Sequence, residues 1–300
     1  MVVFRLTIRE IGRGKFGIVN LVEETQTQTR MASKEMNYSN GKEQQMVKTE
    51  VSTLKETYQI SREHLFSSQS NDQSSSQQLK FIPIVEPLDF FLSSDKNKAY
   101  LVMEYCEGGD LHQFIEEMKK SKTQLSREDA CDYIEQIASA IYLLHSVGII
   151  HGDIKPSNVL IKDGKIKLAD FGLARKLKVE KDQIEIHGGT ILYLAPELLL
   201  HKTQEMKQSF KADIWAIGAL LYELLELNHP YVNEKDLYKR IDRWRMLSLI
   251  YPKEPKVLPM SYPLNIRNLI KKMLIKNPAK RIAAKEILEE IKKVKSQGNQ

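Results

Sequence analysis

The first hundred residues alternate apolar and polar positions at the spacing of short strands. The segments with this pattern are Phe4 to Ile11, Ile18 to Val22, Met31 to Met36, Phe81 to Phe91 and Ala99 to Met103. Turn residues separate the segments, and few of the intervening stretches are long. The pattern predicts a small sheet built largely from consecutive strands.

Residues 43–58 change to a helical spacing, with apolar side chains recurring every three or four positions at Val47, Val51, Leu54 and Tyr58. Glu50 lies on the same stripe. A buried carboxylate costs several kcal/mol unless it is paired. Either Glu50 has a cationic partner, or it lies at the edge of the stripe and reaches water.

Beyond residue 110 the pattern becomes mostly helical. Ser126 and Asp129 form a capping-box arrangement, and Gly148 follows the periodic helix that starts there. Residues 212–227 are apolar nearly all round, which is typical of a helix buried inside a helical lobe. The chain is therefore predicted to be α+β, with a small sheet-rich lobe and a larger helical one.

Composition excludes several classes of protein. The 300 residues are 42% hydrophobic and 28% charged, which is typical of a soluble globular chain and not of collagen, a coiled coil or wholesale disorder. No apolar run is long enough for a bilayer, and the start lacks a signal-peptide core. The two cysteines, Cys106 and Cys131, are too few for a disulfide framework, so a reducing compartment, the cytoplasm, is expected.

The net charge of +6 arises mostly near the C-terminus, where we interpret the lysines as solvated helix faces. We expect neither a nucleic-acid nor a membrane partner. Residues 67–78 contain only Ser, Gln, Asn and Asp, which predicts a disordered insert at about 65–80. A tolerated insertion is favoured over a regulated segment.

Two motifs carry candidate chemistry. The first, Gly12-x-Gly14-x-x-Gly17, would let backbone close over phosphates, but alone it equally fits a glycine-rich hairpin. Strand pattern on both sides argues against a dinucleotide fold. The second is a hairpin at residues 159–169 with an Asp-Gly turn.

Pairing Lys162 with Lys165 fixes the hairpin register and brings Asn158 diagonal to Asp170. An amide oxygen and a carboxylate at a hairpin mouth suit Mg²⁺ held together with phosphates. Asp153 lies five residues before Asn158. Each aspartate by itself could instead cap a turn.

Together these motifs give the chain a close resemblance to eukaryotic-type serine/threonine protein kinases over residues 4–290. The resemblance implies a bilobal kinase fold, with a small antiparallel β-rich N-lobe carrying one key helix and a larger, mainly helical C-lobe. The implied boundaries are 1–103 for the N-lobe, 104–109 for the hinge, 110–295 for the C-lobe and 296–300 for a tail.

The resemblance also assigns an ATP site. Its implied members, from the glycine-rich loop to the hinge and the base-sandwiching residues, are Ile11, Gly12, Gly14, Gly17, Val19, Ala32, Lys34, Met103, Glu104, Cys106, Asp110 and Leu160. Lys34 would hold the α- and β-phosphates, and Glu50 would be its partner. Backbone groups of Glu104 and Cys106 would bind adenine.

The implied catalytic residues are Asp153, which would accept the hydroxyl proton, and Lys155, which would steady the γ-phosphate. Asn158 and Asp170 would be the Mg²⁺ ligands. Glu197, in Ala195-Pro196-Glu197, would pair with Arg281. The implied partner is a protein substrate with a Ser or Thr acceptor, and we expect a monomer with room for a regulatory partner.

The chain departs from the family pattern in two places. Gly152 replaces the usual arginine of His-Arg-Asp, which in relatives binds a phosphorylated activation segment. Between Leu173 and Gly189 there is no Ser, Thr or Tyr, so we expect activity that does not depend on phosphorylation there. Pro87 stands where relatives stack a bulky apolar residue, and Leu88 is the candidate replacement through a bulge.

Some alternatives remain open. Asp110 and Glu223 match positions that attract basic substrate residues in relatives, although Asp110 equally fits a ribose contact. The altered His-Gly-Asp also fits a pseudokinase that only binds nucleotide, or a kinase of small molecules. The hinge sequence resembles NIMA-related and autophagy-initiating kinases.

Overall fold

The computed structural model describes residues 5–14, 17–67, 81–176, 188–200, 209–233 and 241–297. The chain divides into two compact units. The first comprises Met1–Gly109 and Leu160–Gly172, and the second comprises Asp110–Val159 and Leu173–Gln300. The lobe, hinge and tail boundaries expected from the sequence stay predictions.

The first unit contains a five-stranded antiparallel sheet and one long helix. The sheet order is β1-β2-β3-β5-β4. Its elements are β1 (Arg5–Gly14), β2 (Gly17–Glu24), β3 (Arg30–Asn37), α1 (Gly41–Ser67), β4 (Pro87–Leu92) and β5 (Lys98–Glu104). Helix α1 packs on β3 and β4, and Val22, Met31 and Val102 form a buried cluster on the sheet.

The predicted hairpin completes this unit. Strands β7 (Val159–Lys162) and β8 (Lys165–Leu168) pair with each other. The turn residues Asp163 and Gly164 have φ of 50° and 70°, as a two-residue Asp-Gly hairpin turn requires. The predicted hairpin is therefore confirmed.

The second unit is mainly helical. Its elements are α2 (Leu111–Ser121), α3 (Arg127–Ser146), β6 (Ile149–Ile150), β9 (Arg175–Lys176), α4 (Pro196–Leu200), α5 (Phe210–Glu226), α6 (Arg243–Ile250), α7 (Leu264–Met273) and α8 (Ala284–Gln297), with short 3₁₀ turns at Pro156–Asn158 and Gly188–Tyr193. Both units together confirm the α+β class and the architecture that the family resemblance implies.

Helix α5 is the core of the second unit. Every residue of the helix from Ala212 to Leu225 is buried. This confirms the prediction from the all-round apolar pattern. The N-cap half of the capping box at α3 is confirmed, because the Ser126 hydroxyl accepts from Asp129 N at 3.0 Å. The Asp129 carboxylate accepts from the Ser126 hydroxyl at 2.7 Å instead of completing the box through the Ser126 backbone.

Two predicted boundaries were wrong. Helix α1 runs to Ser67, beyond the predicted end at 58, so the first residues of the expected insert are helical; residues 68–80 lie outside the described part of the chain. The strand predicted over 81–91 begins only at Pro87. Ile84 and Val85 are buried because they pair with Leu168 of β8, so their apolar pattern reflects burial against the hairpin.

No helix among the described residues is long and apolar enough to cross a membrane.

Candidate active site

Lys34, Glu50 and Asp170 meet inside the first unit. The Lys34 ammonium donates to Glu50 Oε1 at 2.5 Å and to Asp170 Oδ1 at 3.4 Å. The Lys34 and Glu50 side chains are only 10% and 9% exposed. Glu50, on the inward stripe of α1, thus has the cationic partner that its position demanded.

This arrangement keeps a positive charge in a nearly dry site. Burial works to lower the pKa of Lys34, but the carboxylates of Asp170 and Glu50 outweigh it and raise that pKa above its ordinary value. Burial raises the pKa of Glu50, and Lys34 opposes the rise. Lys34 therefore stays an ammonium, and an ammonium here attracts an anionic group such as a phosphate.

The glycine motif lies at the closed end of the β1–β2 ladder. Gly12 is the register partner of Val19, and Gly14 is the partner of Gly17. Ile11 precedes them on β1, next to a register shift in the ladder. Residues 15–16, between the two strands, lie outside the described residues. The motif therefore joins two antiparallel strands, as expected.

The residues assigned to the base lie on β2, β3 and β5 of the sheet, just after β5, and on β7 of the separate hairpin. Ala32 on β3 is the register partner of Met103 on β5, and Val19 is the partner of Lys34. Glu104 ends β5, and Leu160 lies on β7. The side chain of Cys106, just beyond β5, is buried, and burial raises the pKa of its thiol to about 12. The thiol is therefore protonated at neutral pH.

Asp153, Lys155 and Asn158 form a second cluster, in the second unit. Asp153 Oδ2 accepts from Lys155 Nζ at 2.7 Å and from Asn158 Nδ2 at 3.0 Å. Asn158 Nδ2 also donates to the Asp153 carbonyl at 2.8 Å. The Asp153 side chain is 7% exposed. The structure thus brings the three residues of this motif together within hydrogen-bonding distance.

Asp213 of α5 supports the backbone of this cluster, and its role was not predicted. Its carboxylate accepts from the backbone N–H groups of His151 at 2.9 Å and Gly152 at 3.0 Å, and from His145 Nε2 at 2.9 Å. The sequence did contain a signal for this role, because Asp213 lies near the start of an otherwise apolar buried helix. A buried carboxylate needs hydrogen-bond donors.

The expected ion pair of Glu197 and Arg281 is confirmed. Arg281 Nη1 and Nη2 donate to the two Glu197 oxygens at 2.7 and 2.8 Å, a bidentate geometry. The Arg281 side chain is fully buried and also lies 5.2 Å from the Trp215 ring. This pair anchors the start of α4 in the core of the second unit.

The two acidic side chains suggested for substrate preference have structural partners. Asp110 accepts from Gln113 N at 2.9 Å and so caps α2. Glu223 is 7% exposed and accepts from the Tyr193 hydroxyl at 2.6 Å, and burial raises the pKa of Glu223. Their attraction for basic substrate residues stays a prediction.

The suggestion that Leu88 replaces the missing stack residue was wrong. The β4–β5 ladder does shift register between Pro87 and Asp89, as a bulge would require. However, Leu88 is 45% exposed, whereas Leu54 and Phe171 are buried at 3% and 1%. The bulge therefore turns Leu88 toward solvent.

Comparison with known proteins gives one family. Residues 6–291 match the family model described as protein kinase domain. The mouse proteins "Serine/threonine-protein kinase Nek1" and "Serine/threonine-protein kinase Nek4" are each 32% identical over 94% of this chain. "Probable serine/threonine-protein kinase nek2" of Dictyostelium discoideum is 28% identical over 93% of it. The chain spans 21%, 32% and 60% of the lengths of these three relatives, respectively.

Proposed function

Because this chain belongs to the protein kinase domain family, we propose that it transfers the γ-phosphate of ATP to serine and threonine hydroxyls of protein substrates. The observation that carries the proposal is the buried Lys34 ammonium, held between Glu50 at 2.5 Å and Asp170 at 3.4 Å. The similarity to proteins named serine/threonine-protein kinases supports the acceptor class.

We assign the chemical step to Asp153 and Lys155. Asp153 orients the acceptor hydroxyl and takes its proton while the hydroxyl oxygen bonds to the γ-phosphorus and the bond to the β-phosphate oxygen breaks. Lys155, 2.7 Å from Asp153, neutralises charge on the transferred group. Lys34, oriented by Glu50, holds the α- and β-phosphates. Most of the rate gain then comes from positioning and charge neutralisation.

We assign Mg²⁺ to Asn158 and Asp170 when ATP is bound. The oxygen atoms of these two side chains fit a hard cation. The Asn158 amide nitrogen donates both of its hydrogen bonds to Asp153, so the amide oxygen is the end that would bind the metal. Asp170 contributes a carboxylate that is 28% exposed. When bound, the ion neutralises the β- and γ-phosphates.

Phosphate transfer from labelled ATP to a generic protein tests the proposal. Asp153→Asn should lower kcat by a factor of about 10²–10⁴, the contribution of a positioned general base. The matched control is Asp242→Asn, at the N-cap of α6, where Asn caps as well as Asp. Wild-type protein that binds ATP without turnover would establish the pseudokinase alternative, and transfer to small molecules alone would establish the small-molecule alternative.

We further propose that activity does not depend on phosphorylation of the activation segment. Residues 173–189 contain no Ser, Thr or Tyr, and Gly152 has no guanidinium to bind a phosphate. Residues 177–187 lie outside the described residues. Downstream of them, the Tyr193 hydroxyl already donates to Glu223.

Phosphatase treatment before the assay should therefore leave kcat/KM within about twofold of its starting value. The matched control is a second sample incubated with heat-inactivated phosphatase. A collapse of activity that returns on phosphorylation of Thr190 or Tyr193 would contradict the proposal.

A further inference from the structure

We propose that the Glu104 side chain, together with Lys167 and Lys162, positions the hinge for adenine, so that base affinity depends on a carboxylate that does not touch the nucleotide. The inference rests on the proposed function and on the adenine contacts that the family resemblance implies for backbone groups of Glu104 and Cys106. It adds the side chains that hold those backbone groups in place.

Three donors converge on the Glu104 carboxylate. Oε1 accepts from Lys167 Nζ at 2.5 Å and from Glu86 N at 2.8 Å, while Oε2 accepts from Lys162 Nζ at 2.6 Å. The Glu104 and Lys167 side chains are 7% and 8% exposed, and Lys162 is 31% exposed. All three bonds are charge-assisted, because the acceptor is a carboxylate. Two of the donors are the ammonium groups of Lys167 and Lys162, and the Lys167 bond joins two largely buried side chains.

The same contacts fix the peptide that the base would bind. The Glu104 N–H donates to the Glu86 carbonyl at 3.0 Å, while its carboxylate accepts from the Glu86 N–H. Glu104 is therefore held to one neighbouring residue through both its main chain and its side chain. This double attachment fixes the position of the Glu104 Cα, from which the peptide that carries the Glu104 carbonyl continues.

The far end of the hinge is attached to β7. Gly108 N donates to the Ile161 carbonyl at 3.0 Å, and Ile161 N donates to the Gly109 carbonyl at 2.9 Å. A Cβ on Gly108 would lie 2.8 Å from Ile161 Cβ, so the approach requires glycine. The Glu107 carboxylate accepts from Asp163 N at 2.9 Å. Both ends of the hinge are thus joined to the hairpin that carries Leu160.

The charges in this network are mutually dependent. Burial would raise the pKa of Glu104, but hydrogen bonds from Lys162 and Lys167 outweigh it and lower that pKa. Lys167 also lies 4.9 Å from the Phe81 ring, which holds its ammonium in place. Loss of the Glu104 charge would weaken its bonds to both ammonium groups, which lie on β7 and β8, so the hinge would no longer be held against the hairpin.

Binding of two ATP fragments separates a hinge effect from general damage. Adenosine carries the base without phosphates, and tripolyphosphate carries phosphates without the base. Each is measured by displacement of a fluorescent ATP analogue. In Glu104→Gln, adenosine affinity should fall about tenfold, whereas tripolyphosphate affinity stays within about twofold. In the transfer assay, KM for ATP should rise while kcat changes less.

Further variants keep the test decisive if Glu104→Gln folds poorly. Glu104→Gln with Lys167→Met removes both buried charges and leaves neither unpaired, and it should show the same loss of adenosine affinity. Lys162→Met, at the more exposed partner, should show a smaller loss. Glu290→Gln, which breaks the exposed Lys272–Glu290 pair of the second unit, is the matched control and should change neither affinity.

The outcomes are distinguishable. Unchanged adenosine affinity in the single and double variants, or an equal loss of adenosine and tripolyphosphate affinity, would overturn the inference. Wild-type protein that binds tripolyphosphate but not adenosine would overturn the adenine contacts implied by the family resemblance, and with them the use of ATP in the proposed function.

Discussion

Gly152 is the residue at which this chain departs most visibly from its family pattern, and the backbone conformation at this position suits glycine. Its φ of 78° lies in the left-handed region, where a side chain costs about 1–2 kcal/mol. Asp213 holds this conformation by accepting from Gly152 N. Glycine therefore relieves backbone strain next to Asp153, while it removes the guanidinium that would bind a phosphate.

His229 gives a prediction at the same scale. Its Nδ1 accepts from Tyr231 N and Val232 N at 3.2 Å, and its Nε2 donates to the Leu192 carbonyl at 2.8 Å, so the ring is neutral. Burial lowers its pKa from 6.5 to about 4. Between pH 6.5 and about pH 4, the His229 ring binds a proton in the unfolded chain but not in the folded protein. Protonation therefore favours the unfolded chain as the pH falls, and the free energy of unfolding should decrease by about 1 kcal/mol from pH 7.5 to pH 5.5.

Urea unfolding at the two pH values measures this loss. His229→Gln is expected to be less stable than the wild type at both pH values. Its free energy of unfolding should not show the decrease of about 1 kcal/mol that His229 causes. Ser52→Ala, at an exposed position on α1 that carries no titratable group, is the control and should keep the wild-type slope. Equal pH dependence in wild type and His229→Gln would show that His229 is not the group responsible.

At the scale of elements, the contact of α5 with α7 depends on a missing side chain. A Cβ on Gly218 would lie 2.8 Å from Met273 Cβ and 3.1 Å from Leu274 Cδ2. In an exposed helix, replacing glycine by alanine stabilises by up to about 1 kcal/mol. Here the close packing of the two helices reverses the sign of that effect.

Gly218→Ala should therefore destabilise the protein by about 1–3 kcal/mol, measured by urea unfolding. Gly41→Ala is the matched control, because Gly41 begins α1 and a Cβ there meets nothing within 4 Å. It should be neutral or slightly stabilising. A neutral Gly218→Ala would mean that α7 shifts without cost.

At the scale of the whole molecule, the first unit is discontinuous in sequence. The chain leaves it at Gly109, and residues 160–172 return to it. The returning segment supplies both lysine partners of Glu104 and the Leu168 pairing of Val85. The first 109 residues alone therefore contain a buried carboxylate without its cations.

A fragment of residues 1–109 should not fold stably for this reason. Because Ile161 N bonds to the Gly109 carbonyl, a short glycine linker can join Gly109 to residues 160–172. We expect this linked fragment to give a cooperative thermal transition by circular dichroism and the shorter fragment to give none. Folding of the shorter fragment to the same stability would contradict the expected role of the returning segment.

The sequence by itself determined the features that local rules control. The Asp-Gly hairpin at 159–169, the Ser126 cap and the buried helix α5 follow from turn chemistry, capping and periodicity, which act over a few residues. The ordered motifs containing Lys34, Asp153 and Asp170 identified the family. The late start of β4 was missed because the apolar pattern of Ile84 and Val85 fits burial under the hairpin as well as a strand.

Only the tertiary structure decided which charged groups meet. Glu104 finds Lys167, 63 residues away, and Asp213 finds the backbone of His151, 62 residues away. Periodicity shows that a polar group is buried and needs a partner, but not which distant group supplies it. That choice depends on how the folded chain brings remote segments together, because Coulombic and hydrogen-bond energies depend on distance in space and not on separation in sequence.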